Sequence, residues 1–324
     1  MQAKVLRANL IQHIRSNQLL SNQDHVVVAV SGGFDSLHLL TWLTDGNLPV
    51  DIQPTVSAVY INHQLRADAA DEEKFMRSWF DSNADRLAHF AVERVQWEVE
   101  PTHAVEEQAR DRRYQLLAHR ADEWQANKIV TAHHQDDQVE TILFKLIRGG
   151  RLSQLQGMAE LQQRGRQQIV RPFLHLTKQI LPSLIDTQIM EWVEDYTNND
   201  ESFARNKLRQ TILPELRVLN QAFDQHLLAT MQQIDALQTL AEPAMQQAIN
   251  AIEAGTYSWN QPDAATLLVM QQWVTHQGYY EIKDSQLRQA LQLMRNQSVN
   301  RGTVDLEGAL QFVRAQNKLL IQSK

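Results

Sequence analysis

Three carboxylates and two histidines crowd into one stretch of the 324-residue chain, His133-His134-Gln135-Asp136-Asp137-Gln138-Val139-Glu140-Thr141. An apolar, strand-like run ends just before it and a helix-like pattern begins within it. Glu140 is four residues from Asp136 and three from Asp137, so one helical face can carry several carboxylates. Like charges crowded in this way cost stability unless a cation neutralises them. The histidines beside the aspartates also allow a transition-metal site. Carboxylate oxygens suit hard cations better, so an ammonium group or Mg2+ is the preferred occupant. The bland alternative is a solvated helix start.

A second cluster is Ser31-Gly32-Gly33-Phe34-Asp35-Ser36. Two glycines let the backbone approach a polyanion, and successive amides there can form an anion-binding nest aimed along the following helix. Ser31 and Ser36 add hydroxyl donors. Asp35 would repel phosphate unless it holds a Mg2+ that bridges to it. Without a ligand, Asp35 would simply suit the first turn of a helix. Neither the lysine-bearing pattern GxxxxGK followed by Ser or Thr nor the dinucleotide pattern GxGxxG is present.

Weaker features accompany these two. Asn62-His63-Gln64-Leu65-Arg66 reads alone as a loop with Asn62 as turn former. Glu106 and Arg110 would pair on a helix surface, whereas Arg110 and Arg113 could present two guanidiniums to phosphate. From Lys145 to Lys178 the chain carries Lys145, Arg148, Arg151, Arg164, Arg166, Arg171 and Lys178 against one acid, Glu160. The formal net charge of −7 does not suggest a nucleic-acid binder. Unevenly placed charge can still meet RNA on one face, although this stretch alone also reads as a solvated loop region.

The elements that must position these residues alternate along the first half. Apolar runs at His25–Val30, Pro54–Ile61, His89–Trp97 and Lys128–Ala132 are followed by helical patterns beginning near Asp35, Ala67, Ala104 and Gln135. This argues for an α/β fold, a doubly wound, mostly parallel sheet with helices on both faces. Ligands of such sheets sit at the carboxyl ends of strands, where the Ser31, Asn62 and His133 segments can converge. Further on, the pattern predicts a helix over Thr177–Met190, a short strand at Trp192-Val193, and closure of this part by Pro214. A long connecting helix over about Glu215–Glu253 and short strands at Thr303–Leu306, Leu310–Val313 and Leu319–Ile321 follow. The expected division is a catalytic domain over 1–215 and a helical linker with a small α/β domain over 216–324.

Apolar residues make up 43% of the chain, as a folded globular protein requires. No apolar run approaches the roughly 20 residues that cross a bilayer, and the first residues lack the core of a secretory signal, so the cytoplasm is the expected compartment. The chain has no cysteine, which rules out disulfides, thiolate metal sites and sulfur carried on a protein thiol.

The Ser31–Ser36 hexapeptide resembles the SGGxDS signature of the PP-loop, or N-type ATP pyrophosphatase, superfamily. Membership implies a Rossmann-like fold and cleavage of ATP between the α- and β-phosphates. Such a turn cradles pyrophosphate and needs no lysine. In combination the motifs resemble the tRNA(Ile)-lysidine synthetases. That family shows SGGxDS, NHxLR, ExAR, HHxDDxxET, a basic RG stretch, RP and a D-x-S-N-x-D…RN-x-x-R tail. Here they read Ser31–Ser36, Asn62–Arg66, Glu107–Arg110, His133–Thr141, Arg148-Gly149, Arg171-Pro172 and Asp195–Arg209. The tail departs from the pattern, reading Asp195-Tyr196-Thr197-Asn198-Asn199-Asp200. The C-terminal third resembles the family only loosely. Longer members carry a further C-terminal domain, which a chain of 324 residues is expected to lack.

The resemblance implies that the ε-amine of free lysine is joined to carbon 2 of the wobble cytidine in the CAU anticodon of tRNA(Ile). ATP first adenylylates the 2-oxygen, and the amine then displaces AMP. It also implies roles. Ser31, Gly32, Gly33, Phe34, Asp35, Ser36, His63 and Arg110 would face ATP, with Mg2+ at Asp35. Asp35, His133, Asp136, Asp137 and Glu140 would form the catalytic centre. Arg113, Arg148, Arg171, Arg205, Asn206, Lys207 and Arg209 would face substrate or RNA. Free lysine has a pKa near 10.4, so Asp137 and Glu140 are expected to recognise the ammonium first and accept its proton second. A homodimer is compatible with this reading. The rivals are a sulfur- or ammonia-transferring PP-loop ligase and a non-catalytic tRNA-binding protein.

Overall fold

Val26, Val27 and Val28 are fully buried, as a strand covered by helices on both faces requires. They belong to β1 (His25–Val30), an interior strand of a six-stranded sheet. The computed structural model describes residues 2–46, 48–64, 69–97, 105–149, 155–185, 192–193, 204–279, 282–296, 298–306 and 310–323. Around β1 the chain runs α1 (Gln2–Ser16), α2 (Phe34–Thr44), β2 (Thr55–Asn62), α3 (Ala69–Ser82), β3 (Phe90–Arg94), α4 (Val105–Glu123), β4 (Lys128–Val130) and α5 (Gln135–Ile147). A hairpin of β5 (Leu161–Arg164) and β6 (Gln167–Val170) follows.

The strand order is β3-β2-β1-β4-β6-β5. Every neighbouring pair is parallel except β5 with β6. Val28 pairs in register with Ala58 and Val130, so the carboxyl ends of β1, β2 and β4 share one edge. The chain passes from β1 outward to β3 and then returns to β4 on the other side of β1. That reversal opens a crevice at the carboxyl ends of β1 and β4.

Alternation along β1 sorts the core. Val26, Val28 and Val30 pack with Leu10 and Ile14 of α1, Leu37 and Leu40 of α2 and Met76 of α3. Val27 packs on the opposite face with Tyr114 and Leu117 of α4. A period of two in the strand thus supplies both faces of the doubly wound fold.

Several elements differ from the sequence reading. The hairpin β5–β6 was not expected: Leu161-Gln162-Gln163-Arg164 is an exposed edge strand without apolar alternation, and Gly165 turns it at φ +60°. In place of a helix from Thr177, a 3-10 helix spans Lys178–Leu184 with Pro182 inside it, and 186–190 lies outside the described residues. Proline lacks the N–H of an α-helical ladder and disfavours the helical conformation of the residue before it. Trp192 and Val193 form no strand. Val193 instead donates one backbone hydrogen bond to Gly32 O at 3.0 Å. Pro214, read as closing this part, lies within a helical run. A helix Ala204–Lys207 passes through a π-helical turn, Leu208–Ile212, into the helix Leu213–Leu219, with Pro214 directly after the π-helical turn. The connecting helix breaks at Asn220 and resumes over Phe223–Ala254.

The chain divides into two compact units, Met1–Met231 and Gln232–Lys324. In the second, helices Asp263–His276 and Asp284–Arg295 accompany a three-stranded antiparallel sheet of β7 (Arg301–Asp305), β8 (Leu310–Ala315) and β9 (Lys318–Ser323). Its core contains Ile252, Met270, Trp273, Leu287 and Phe312. Among the described residues no helix is long and apolar enough to cross a membrane.

Candidate active site

The turn after β1 is organised by a serine. Ser36 Oγ accepts the Ser31 N–H at 3.1 Å and donates to Gly33 O at 3.0 Å. Ser31 Oγ lies 3.1 Å from it and completes the ring of contacts. Gly32 has φ +78°, and a β-carbon there would sit 3.4 Å from Met76 Sδ. Glycine therefore suits this position for its backbone conformation and for the close approach of α3. Gly33 is the N-cap of α2 without a side-chain cap, and Asp35 stands in the first turn. Phe34 packs its ring edge-on against Trp192 at 5.1 Å and lies 3.7 Å from the His38 ring.

Asn62 does act as a turn former. Its Oδ1 accepts the Gln64 N–H at 2.8 Å, and its Nδ2 donates to Ala69 O at 2.9 Å, fastening the end of β2 to the start of α3. The remaining motif residues Leu65 and Arg66, and the tail Asp195–Phe203, lie outside the described residues.

His134 caps α5, donating its N–H to Asp137 Oδ2 at 2.9 Å. The acids of this segment, with Asp35, are neutralised by cations of the chain itself. Asp35 Oδ2 meets Lys178 Nζ at 3.1 Å and His134 Nε2 at 3.6 Å. Asp136 accepts the Lys178 backbone N–H at 3.0 Å and an Arg217 N–H at 2.9 Å. Glu140, only 2% exposed, takes Arg209 through two N–H groups at 2.6 and 2.9 Å. Asp137 lies 3.3 Å from the same guanidinium, and Arg205 lies 3.9 Å from Glu140.

These contacts shift the titrating groups. Burial works to raise the Asp35 pKa, but the His134 contact and the charges of Lys178 and His134 outweigh it and hold the carboxyl below its usual value. Asp136 is lowered in the same way, burial being outweighed by the Lys178 amide and the charges of His134 and Arg217. Burial disfavours the charged form of His134, yet Asp35, Asp137 and Asp136 raise its pKa. Its neighbour His133 goes the opposite way. Burial, reinforced by the charges of Arg113, Arg171, Arg110 and Arg205, holds its pKa well below normal, so its ring is neutral. Its Nδ1 lies 2.8 Å from Thr131 Oγ1.

A cavity of about 330 Å3 opens at the carboxyl ends of β1, β2 and β4. Ser31, Asp35 and Ser36 line it from the first turn, Asn62, His63 and Gln64 from the end of β2, Arg113 from α4, and His133 and Asp137 from the last segment. Asp136 and Glu140 are not among the lining residues and face Arg217 and Arg209 instead. Behind the wall, Arg110, Arg113 and Arg164 surround the Tyr114 ring at 5.3, 5.4 and 4.3 Å from its centroid. Arg113 Nε is buried and has no hydrogen-bond partner among the described residues. The wall therefore offers positive charge to an anion. Asp35 Oδ1 is likewise buried without a hydrogen-bond partner among the described residues, so an acceptor is left for a cation. Both observations fit a nucleotide polyphosphate with a divalent ion.

The expected RNA-facing residues separate. Arg148 stacks over Phe144 at 5.3 Å at the exposed end of α5, and Lys207 is exposed. Arg205 donates to Thr141 Oγ1 at 3.2 Å, and Asn206 is half-buried beside it. Arg171 is 1% exposed and donates to Ala159 O at 2.6 Å and Gln162 Oε1 at 3.1 Å, so it holds the β5–β6 hairpin from inside. Two site residues escaped the sequence reading. Lys178 was counted only as part of a basic run, and Arg217 fell in an expected linker.

Residues 4–216 match the model of the PP-loop domain. The chain is 30% identical over 312 residues to the tRNA(Ile)-lysidine synthase of Streptococcus thermophilus (strain CNRZ 1066), spanning 96% of this chain and 69% of that protein. It is 31% identical over 285 residues to that of Lactiplantibacillus plantarum, spanning 86% of this chain and 62% of that one. Among solved structures, the U34-tRNA thiolase NcsA from Methanococcus maripaludis shares the fold with a TM-score of 0.55 at 13% identity, covering 72% of this chain and 78% of that chain. A PP-loop match over most of the first unit, joined to kinship running nearly end to end, settles the affiliation: the chain belongs to the tRNA(Ile)-lysidine synthase family of PP-loop proteins.

Proposed function

We propose that this chain forms lysidine on tRNA(Ile), joining the ε-amine of free lysine to carbon 2 of the wobble cytidine of a CAU anticodon. ATP is consumed to AMP and pyrophosphate, and the codon read changes from AUG to AUA. The observation that carries this reading is one juxtaposition. The Ser31–Ser36 turn and Asp137 line the same cavity, and Asp137 with Glu140 already holds a side-chain cation, the Arg209 guanidinium.

The chain's residues divide the work in this reading. The Ser31–Ser36 amides and hydroxyls, with Arg113, bind and orient the polyphosphate. Asp35 holds Mg2+, which when bound supplies charge neutralisation at the phosphates. Asp137 and Glu140 receive the lysine ammonium once Arg209 gives way. The amine must lose its proton before it attacks, and carboxylates alone oppose that by raising its pKa. Arg113 lines the same cavity as Asp137 and offsets part of their negative field, and Asp137 is the carboxylate placed to accept the proton once the ammonium has been recognised. Neutral His133 stands in that cavity as a hydrogen-bonding partner for the target base. The base enters by leaving its anticodon-loop stack, which a single-stranded loop permits at low cost.

Incubation with ATP, labelled lysine and tRNA transcripts tests the activity. Label is expected in CAU-bearing tRNA(Ile), dependent on ATP; its absence from every tRNA overturns the reading. Sulfur transfer is the second reading, since the fold neighbour is a thiolase. A cysteine-free chain offers no thiol to carry a persulfide, which favours the amine.

A further inference from the structure

We propose that His13, Glu160 and His175 form a binding site for a divalent transition-metal ion, separate from the candidate active site. The three residues come from distant parts of the chain: α1, the residue just before β5, and the turn that follows β6. Glu160 Oε1 lies 2.8 Å from His13 Nε2 and 3.3 Å from His175 Nδ1. All three ligand atoms fall within 4.8 Å of one another. The two imidazoles lie nearly face to face, centroids 3.8 Å apart at 31°.

The spacing and chemistry fit an ion better than they fit a simple ion pair. Bonds of about 2.0–2.1 Å at tetrahedral angles place neighbouring ligand atoms roughly 3.3 Å apart. The Glu160–His175 separation of 3.3 Å already meets that value, and the His13–Glu160 separation of 2.8 Å lies close to it. Glu160 is the one acid between Lys145 and Lys178, yet among the described residues it pairs with two imidazoles and with no lysine or arginine. Two imidazole nitrogens and a carboxylate suit Zn2+ and similar first-row ions, whereas Mg2+ prefers oxygen ligands. The three side chains are between 25% and 32% exposed, which leaves a coordination position open to water. None of the three lines the candidate active-site cavity.

Such an ion would tie α1 to the turn that leads into the active site. Leu176 O, next to His175, accepts the N–H of Gln135 at 2.8 Å, the first residue of α5. Lys178, three residues from His175, reaches Asp35.

The test uses the full chain without an affinity tag, Zn2+ in calorimetry and Co2+ in visible absorption. One Zn2+ per chain is expected at this site, unaffected by excess Mg2+, with Co2+ giving ligand-field bands. Zn2+ should raise the thermal unfolding midpoint of the parent and leave that of a His13→Gln, His175→Gln variant unshifted. His134→Gln should keep the site, which distinguishes it from the histidines of the active site. If the double variant fails to fold, His13→Gln alone must weaken Zn2+ binding at least tenfold. No Zn2+ binding by the parent, unchanged binding in the His13 variant, or loss of the site in His134→Gln overturns the proposal.

Discussion

Glu140 is nearly inaccessible and has both oxygens on one guanidinium, so under the proposed function the state of Arg209 decides whether a lysine ammonium can enter. Arg209→Ala leaves a buried carboxylate without its cation, a loss of about 1–3 kcal/mol in unfolding free energy. Free lysine should restore part of it, giving a larger thermal shift in the variant than in the parent. Equal shifts in both would reject a shared site. Glu140→Gln should raise the KM for lysine about 10- to 100-fold, the value of one charge-assisted contact, and leave the KM for ATP nearly unchanged. His134 permits a prediction of opposite kind. Its native pKa is raised by Asp35, Asp137 and Asp136 against the cost of burial. The resulting stabilisation is fully present below the unfolded value of about 6.5 and is lost as pH rises through the native value. The stability difference between the parent and His134→Gln should therefore shrink from about pH 6.5 upward in urea titrations. The carboxylates were legible in the sequence because Asp136, Asp137 and Glu140 are close along one helix. Their neutralising partners were not, since Arg209 lies 69 residues from Glu140 and Arg217 81 from Asp136. Spacing carries no information about such pairs.

Elements were legible where periodicity was strong. β1, with three consecutive buried valines, and α5, starting at Gln135, match the reading closely. The β5–β6 hairpin was not, because its exposed glutamines form no pattern, and Pro182 turned an expected helix into a 3-10 segment. That segment matters for the site, as it presents Lys178 to both Asp35 and Asp136. Lys178→Ala removes the side-chain contact but keeps the backbone N–H on Asp136. It should weaken ATP binding or turnover without loss of fold, visible as intact circular dichroism with altered pyrophosphate release. Gly32→Ala tests the turn itself. A side chain at φ +78° costs about 1–2 kcal/mol, and the new methyl meets Met76 Sδ at 3.4 Å. ATP affinity is expected to fall about tenfold or more in equilibrium dialysis, because under the proposed function the same backbone forms the cradle. Unaltered ATP affinity would mean that the nucleotide is held elsewhere.

For the whole molecule, a net charge of −7 must be reconciled with an RNA substrate. The basic run Lys145–Lys178 read as one surface, but the fold distributes it. Lys178 stays exposed but is tied to Asp35, Arg171 is buried in the hairpin, Arg164 lies over Tyr114, and Arg148 stays outside. Burial cannot be read from charge, so only the three-dimensional placement separates phosphate-binding from structural arginines. That separation has a measurable consequence. Each phosphate neutralised by an exposed cation steepens the fall of log K with log salt by roughly 0.7–0.9. Arg148→Ala and Lys207→Ala should each lower tRNA affinity and flatten the salt slope by about 1. Arg171→Ala should instead lower the thermal midpoint, because Ala159 O and the Gln162 side chain lose their donors and the hairpin loses its support. Its tRNA salt slope, measured on the folded fraction, should match that of the parent. A flattened slope in Arg171→Ala, with Arg148→Ala and Lys207→Ala unaffected, would place the RNA against the hairpin and reverse the assignment.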